Sequence, residues 1–231
     1  MMEEYFKIKD RPLGEMLDNF FICENCSMVD TDSGRLEHGH KCTHCSKTDD
    51  RGMSYFSTRV TSLINLMQEF FHTQQIITDD QGHAHTPIWA GNIKLPVIIF
   101  FSTLRELLLN NLIEELFKAK KLEADICERL LSDNQTHSKR LNKLFKTLTG
   151  EKWINALKLI DMKEGTDFIT LNEFIETVVR ARNDFVHEGS TWEIKEDMAD
   201  NCMKNIYSML QLHAFLHNYF VFTIYDFNNK D

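Results

Sequence analysis

Apolar side chains recur every three or four residues through most of the chain after residue 52, a spacing typical of amphipathic helices. The pattern predicts helices over about 54–77, 95–121, 122–132, 136–162, 169–188 and 194–224, with a break in the fourth at 149–150. The run Val97–Phe101 is β-like in isolation, but helical spacing continues beyond it to Leu116, which favours a helix. Pro96 agrees, because proline is accepted in a first helical turn. The predicted fold class is mainly α.

The first 52 residues do not follow this pattern. They hold four of the six cysteines and turn-forming clusters such as 30–34, with 7 Lys or Arg against 11 Asp or Glu. We therefore expect a small N-terminal module over residues 1–52 and a helical domain over residues 53–231. A total of 231 residues suits one full domain with a small module.

Four cysteines carry the strongest chemical signal in the chain. They form two Cys-x2-Cys pairs separated by 15 residues, Cys23 with Cys26 and Cys42 with Cys45. Two such turns can close a tetrahedral four-sulfur site without an open position, so the expected cofactor is a structural zinc ion. A redox-active pair is the alternative, and a nearby histidine can replace one ligand: His38, His40 or His44. The module resembles a zinc ribbon or zinc knuckle, a kind of module that contacts nucleic acid or protein.

A cation interrupts the apolar stripe of the helix predicted over 169–188. On a helical wheel, four apolar residues lie within about 40° of Arg182, namely Leu171, Ile175, Val178 and Val186. An arginine at such a position needs an anion or a carboxylate as its partner, because burying an unpaired guanidinium is costly.

Two further polar residues follow along one edge of this helix. They are Asn183 and His187, and Gly189 ends the helix directly afterwards. Arginine can hold a phosphate and stabilise transition-state charge, while histidine moves protons near neutral pH. The set suits RNA cleavage by the RNA's own 2′-OH, which needs no metal. An interface salt bridge with a helix-capping histidine would account for the same residues without activity.

The segment 182–189, Arg-Asn-Asp-Phe-Val-His-Glu-Gly, resembles the Arg-Asn-x3-His motif of the HEPN superfamily. The resemblance covers about residues 54–224, since the motif precedes the final long helix of an α-bundle. It implies a HEPN-like helical bundle, here preceded by the zinc-ribbon-like module, and a homodimer or pseudo-dimer with both motifs at the interface. It also implies a metal-independent endoribonuclease, without a catalytic metal, in a toxin–antitoxin or anti-phage defence system.

By this resemblance Arg182 would hold the scissile phosphate, Asn183 would orient it and His187 would act as acid or base. Some members add a polar residue from an earlier helix, for which Arg105 and Glu106 are the candidates. Other members are inactive, so the alternative function is a catalytically silent zinc and helical adaptor that binds RNA or a partner protein. The resemblance also allows a cognate antitoxin or defence-system partner.

The distribution of charge bears on RNA as a partner. A net charge of −9 argues against a protein that coats nucleic acid through bulk charge. The stretch 136–152 nevertheless carries a local charge of +4, and four of its side chains are candidate RNA contacts: Lys139, Arg140, Lys143 and Lys146. A solvated helix face is the alternative for this stretch.

Two stretches, one near each end of the chain, bear on where in the cell the protein is located. Residues 1–6 lack the basic and apolar regions of a secretory signal, so we expect a cytoplasmic protein with reduced cysteines. The stretch 206–225 has no formal charge, but His213, His217 and Asn218 near its middle would be costly in lipid. A helix buried in a bundle or dimer interface is expected instead of a membrane span, with the two histidines hydrogen-bonded inside it.

Overall fold

The structure is a computed structural model that describes residues 17, 20–30, 41–48, 53–72, 77–78, 84–85, 95–195 and 197–224. Helices dominate these residues, so the predicted mainly α class is confirmed. They are α1 (Thr58–His72), α2 (Leu95–Ala119), α3 (Ala124–Asp133), α4 (137–149), α5 (Trp153–Glu164), α6 (Phe168–Glu188) and α7 (Met198–Leu216). Within α4, the segment Arg140–Leu144 is a π-helical turn, and a second π-helical turn, His217–Phe222, continues α7.

Short strands accompany the helices. β1 (Phe21–Ile22) lies between β2 (Val29–Asp30) and β3 (Met53–Ser54) in an antiparallel sheet, so that Ile22 faces Val29 on one side and Met53 on the other. A second antiparallel pair joins β4 (Ile77–Thr78) to β5 (Ala84–His85). Because β3 begins just after residue 52, the first sheet links the cysteine-containing segment to the chain that enters the bundle.

Several helix boundaries lie where local signals predict them. α2 begins at Leu95 with Pro96 in its first turn, and Val97–Phe101 is helical within it. Gly150 takes φ 82° after α4 and produces the predicted break before α5. A residue without a Cβ accepts this left-handed conformation at little cost, which is why the chain can stop one helix and start the next here.

The first helix is shorter than the predicted span of 54–77. Ser54 pairs with β1 and Ile77 pairs with β5, so both ends of the prediction are wrong and α1 covers Thr58–His72. Pairing of a strand with a segment distant in sequence leaves no trace in local apolar spacing, which is the reason for the error.

α2 is the central helix of the bundle and packs against α1, α6 and α7. Its fully buried side chains include Phe101, Leu104 and Leu108. Among the described helices, α2 alone is long and apolar enough to cross a membrane by length and composition, and 56% of its most apolar stretch is buried inside the bundle. The end of the chain behaves similarly, since α7 buries Ile206 and Leu210 as expected for a bundle helix.

Candidate functional site

Local signals fix both ends of α6, the helix that carries the Arg-Asn-x3-His residues. The Asp167 side chain caps the N-terminus by accepting a hydrogen bond from the amide three residues later, at 3.3 Å. At the C-terminus Gly189 takes φ 68°, and its amide donates to the Phe185 carbonyl at 2.9 Å. His187 therefore lies in the last turn of the helix.

Arg182 lies beside the buried stripe of α6 and lacks an anionic partner in the described structure. Ile175 and Val178 are buried as predicted, and Arg182 next to them is partly buried. Its Nε is shielded from solvent without a hydrogen bond, while Nη1 donates to Asn183 Oδ1 at 2.9 Å. No carboxylate among the described residues pairs with the guanidinium. The described part of the chain therefore does not supply the counter-charge that this position calls for.

The last turn of α6 faces solvent. His187 is exposed, as are Val186 before it and Trp192 in the segment after the helix, which expose 52% and 91% of their surfaces. Val186 belongs to the apolar side of the helical wheel, but in the described structure the bundle does not cover it. His187 follows Asn183 by four residues, which puts both on one face about 6 Å apart along the helix axis. Asn183 is therefore adjacent to both groups: it accepts from Arg182, and His187 lies one turn further along its own face, about 140° around the helix axis from Arg182.

Asn183 also lines a cleft of about 900 Å³ between α2, α4, α5 and α6. We call it the basic cleft, after the charged side chains in its lining: Arg105, Lys146, Lys152 and Glu176. In the part of the chain that the structure describes, Lys146 and Lys152 have no carboxylate partner. The lining therefore carries a net positive charge.

Arg105 is one of the two candidates from an earlier helix, and it is buried in the basic cleft. Its Nη2 donates to the Glu176 carboxylate. Burial lowers the pKa of Arg105, and the Glu176 carboxylate partly offsets that effect. Glu106, the other candidate, lies outside the lining of the cleft. The structure thus brings Arg105, and not Glu106, to the same cleft as Asn183.

Two imidazole nitrogens in this region are shielded from solvent and unpartnered. They are Nε2 of His137, which lines the basic cleft, and Nδ1 of His213, which is buried in α7. Burial and the nearby charge of Arg105 lower the pKa of His137 to about 4 and that of His213 to about 3. Both side chains are therefore neutral at pH 7. The expected hydrogen-bonded role of His213 does not hold at Nδ1.

We expect the protein to lose stability as the pH falls below neutral. An unfolded histidine binds a proton near pH 6.5, whereas folded His213 stays neutral down to about pH 3, so its contribution is complete above 6.5 and falls below it. Within this window, each unit by which the pH falls removes about 1.4 kcal/mol from the contribution of His213 to the free energy of unfolding. Urea denaturation across this range should give a flatter pH profile for His213→Leu than for wild type. His187→Ala, at an exposed site, is the control, and parallel profiles for wild type and His213→Leu would refute the prediction.

The four candidate RNA contacts on α4 differ in their surroundings. Lys139, Lys143 and Lys146 are exposed, and Lys146 lines the basic cleft. Arg140 is instead partly buried, and its Nη1 and Nε donate to oxygens of two asparagines at 2.6 and 3.1 Å. A π-helical turn within α4 contains Arg140 and Lys143, so the lysines along this helix do not follow regular α-helical spacing.

The four cysteines predicted to bind a metal converge on one point. Their Sγ atoms all lie within 4.8 Å of one another. Individual distances are 3.8 Å between Cys23 and Cys45 and 3.6 Å between Cys26 and Cys42. Four sulfurs around a tetrahedral ion at the usual bond length would lie about 3.8 Å apart. The cluster can therefore hold a metal ion such as zinc, and a redox pair would not require all four to meet.

Each Cys-x2-Cys turn is closed by a serine with positive φ after its second cysteine. Ser27 has φ 62° and Ser46 has φ 57°. The Ser27 amide donates to the Cys23 carbonyl at 2.7 Å, and the second turn repeats this bond at 2.9 Å. Burial raises the pKa of the Cys23 and Cys26 thiols, so these groups are neutral unless a metal ion displaces their protons.

The histidines near the cysteines have other surroundings. His44 is exposed and stands edge-on against Phe222, with ring centroids 4.7 Å apart. His38 and His40 lie outside the described residues. Among the residues that the structure describes, the metal-binding cluster consists of the four cysteines.

The first Cys-x2-Cys turn is hydrogen-bonded to the end of α7. His217 Nε2 donates to the Ser27 carbonyl at 2.8 Å, and Nδ1 lies 2.9 Å from the Glu115 carboxylate. The same carboxylate accepts a hydrogen bond from the Tyr55 hydroxyl at 2.9 Å. Burial and Glu115 raise the pKa of Tyr55 well above its ordinary value, which keeps the hydroxyl protonated as a donor. The expected hydrogen-bonded role of His217 is confirmed.

Asn218 adds a second connection between the same parts. Its Oδ1 accepts from the Val29 amide at 2.9 Å and its Nδ2 donates to the Val29 carbonyl at 2.8 Å, as a neighbouring strand would. Sequence reasoning missed this role and that of Glu115, because each partner is distant in the chain. The one available signal was the presence of polar residues in a stretch otherwise suited to a core. No feature of the sequence singled out His137, which lines the basic cleft, as a candidate site residue.

These observations define a class of protein: a helical bundle with a four-cysteine module hydrogen-bonded to the end of α7, a basic cleft, and an arginine that pairs with no described carboxylate and donates to an asparagine lining that cleft. Comparisons of the chain with protein-family models, with curated proteins and with solved structures found no match in any of the three.

Proposed function

We propose that the protein is a metal-independent endoribonuclease of the HEPN type. The observation that carries the proposal is the Arg182 guanidinium, which is partly buried, has a shielded Nε without a partner and pairs with no described carboxylate. Such a group gains most from an anion supplied by another molecule. Because Asn183 contacts this guanidinium and the imidazole of His187 lies one turn further along the helix, the phosphodiester of RNA is the anion that suits this set.

The proposed reaction uses the RNA's own 2′-OH as nucleophile. The 2′ oxygen forms a bond to phosphorus while the bond from phosphorus to the 5′ oxygen breaks. A base accepts the 2′ proton and an acid supplies a proton to the departing 5′ oxygen, so the products carry a 2′,3′-cyclic phosphate and a 5′-OH. Arg182 would stabilise charge on the phosphate oxygens, Asn183 would hold the guanidinium in place, and His187 would transfer protons.

A second copy of the chain would complete this site. One His187 can act as acid or base at a given moment, whereas the reaction needs both. Val186, adjacent to His187 on the helix, and Trp192, in the segment after the helix, provide exposed apolar surface of the kind that protein interfaces cover. We therefore infer a homodimer in which two copies of the α6 edge face each other.

We further infer that the four-cysteine cluster holds one structural zinc ion. Four thiolates fill a tetrahedral shell and leave no position for a substrate, so the ion takes no part in cleavage. The resemblance to HEPN proteins supports a role as a toxin or anti-phage defence effector, with a cognate antitoxin or defence-system partner as the restraint. The cytoplasm keeps cysteine thiols reduced, and a four-cysteine metal site needs reduced thiols, so a cytoplasmic location suits this site.

RNA cleavage without added divalent ions tests the proposal. In EDTA, with the zinc content confirmed to be unchanged, wild type is expected to leave 2′,3′-cyclic phosphate ends. His187→Ala should lose at least about 100-fold in rate, since general acid–base catalysis contributes about 10²–10⁴-fold. Glu188→Ala, exposed in the same turn, is the matched control, and light scattering of these samples should give a dimer.

The second candidate is the catalytically silent adaptor. Two features favour the adaptor, because both suit recognition of a partner. Trp192 is exposed, and the cysteine module is hydrogen-bonded to the helical bundle. RNA left intact by the wild type, or cleavage by His187→Ala at the wild-type rate, would refute the enzyme proposal in favour of the adaptor.

A further inference from the structure

The basic cleft carries chemistry that proton transfer at His187 does not use. Lys146 comes from α4 and Lys152 precedes the first turn of α5, so separate elements present their ammonium groups to one cleft. Arg105 and Glu176 neutralise each other through their ion pair. Lys146 and Lys152 therefore leave the cleft with a charge of about +2, which suits a phosphate group.

Other parts of the lining suit a planar group with hydrogen-bonding edges. Ile154 and Val179 give the cleft apolar surface. His137 also lines the cleft, as a neutral imidazole ring whose Nε2 has no described partner. Asn183, another lining residue, uses its Oδ1 for Arg182, which leaves its amide NH2 as a hydrogen-bond donor.

The volume of the basic cleft limits the ligand further. About 900 Å³ lies at the upper end of the range for small-molecule sites, so the cleft accommodates more than a free phosphate ion. We propose that the basic cleft binds a nucleotide unit, with its phosphate at Lys146 and Lys152 and its base against the apolar and amide-bearing wall. The unit can be a free nucleotide or one residue of an RNA strand that continues past Asn183. This inference does not require His187 to be catalytic.

Binding is measured calorimetrically with three probes: inorganic phosphate, adenosine 5′-monophosphate and a short fully 2′-O-methylated RNA. The methylated RNA has no attacking 2′-OH, so binding is independent of cleavage. We expect at least one nucleotide probe to bind more tightly than inorganic phosphate. The double variant Lys146→Ala/Lys152→Ala should weaken that binding about tenfold or more, since hydrogen bonds to charged groups contribute at least this much. The control Lys120→Ala/Lys158→Ala removes two exposed charges outside the cleft.

The outcomes separate the two sources of the nucleotide and test the inference itself. Binding of the mononucleotide indicates a free ligand, and binding of the methylated RNA alone indicates an RNA subsite. Equal loss of affinity in the cleft and control variants, no binding of any probe, or phosphate binding as tightly as both nucleotide probes would overturn the inference. If nucleotide binding depends on the two cleft lysines while RNA stays intact in the cleavage assay, the proposed function fails and the cleft assignment stands.

Discussion

Replacing Arg182 with alanine is expected to lower the rate of RNA cleavage by about 10²–10³-fold, the loss typical of removing one preorganised donor to transition-state charge. Arg182→Lys should recover a part of this loss, because lysine keeps the positive charge but cannot present two parallel donors to a phosphate. The rates are measured on one RNA substrate under single-turnover conditions. Arg180→Ala is the matched control, since Arg180 is exposed two residues earlier on the same helix. Equal rates for Arg180→Ala and Arg182→Ala would contradict the assignment.

Stability provides an independent check on the same residue. Replacing an arginine that pairs with a carboxylate leaves that charge without its partner, whereas Arg182 pairs with no described carboxylate and its shielded Nε has no described partner. Arg182→Met should therefore leave the melting temperature unchanged or raise it. Arg105→Met, which removes a buried arginine bonded to Glu176, should lower it. A large loss of stability in Arg182→Met would mean that this arginine serves the fold.

Replacing Cys42 with serine is expected to abolish metal binding and unfold the cysteine module. Zinc contributes about 10–16 kcal/mol to the folding of comparable zinc-finger peptides, far more than so small a segment can obtain from its core. Metal analysis should change from one zinc per chain to none. The bundle has a core of its own, so it should keep its helices but melt at a lower temperature because the bonds from His217 and Asn218 to the module are lost.

Cys127→Ser is the control for this prediction. Cys127 is partly buried outside the four-cysteine cluster, so its replacement should leave the metal content at one zinc per chain. A wild-type protein that is folded and free of metal would refute the zinc assignment. A Cys42→Ser protein with unchanged His217 and Asn218 resonances in NMR spectra would show that the module keeps its place without the ion.

Local signals were sufficient where a feature depends on neighbours in the chain. Gly150 and Gly189 end their helices, because glycine accepts the positive φ needed there. The apolar spacing of α6 correctly predicts that Ile175 and Val178 are buried. The two Cys-x2-Cys turns likewise predict the convergence of their sulfurs, because the spacing within each turn brings its two ligands together.

Features that depend on distant partners could not be predicted in this way. The ends of the first helix are set by strand pairing, and the connection of Val29 to Asn218 joins segments near opposite ends of the chain. For the candidate site, the wheel located Arg182 correctly beside apolar residues. The wheel could not show that no described carboxylate pairs with this arginine. It also could not show that Asn183 lines a cleft to which three other helices contribute.

The π-helical turn at Arg140–Leu144 acts as a one-residue insertion in an otherwise regular helix. Counted by residue number, the helical wheels before and after the turn are offset by about 100°, because the turn absorbs one extra residue. Excising a single residue within the turn would restore regular helical spacing while the side chains on both sides kept their directions. Phe145 and Leu148 would then stay in the core and Lys146 would stay at the basic cleft. A one-residue deletion in the regular part of α4 would instead rotate everything beyond it, so the π-helical turn is a place where the chain length can change by one residue without disturbing ligand contacts or packing.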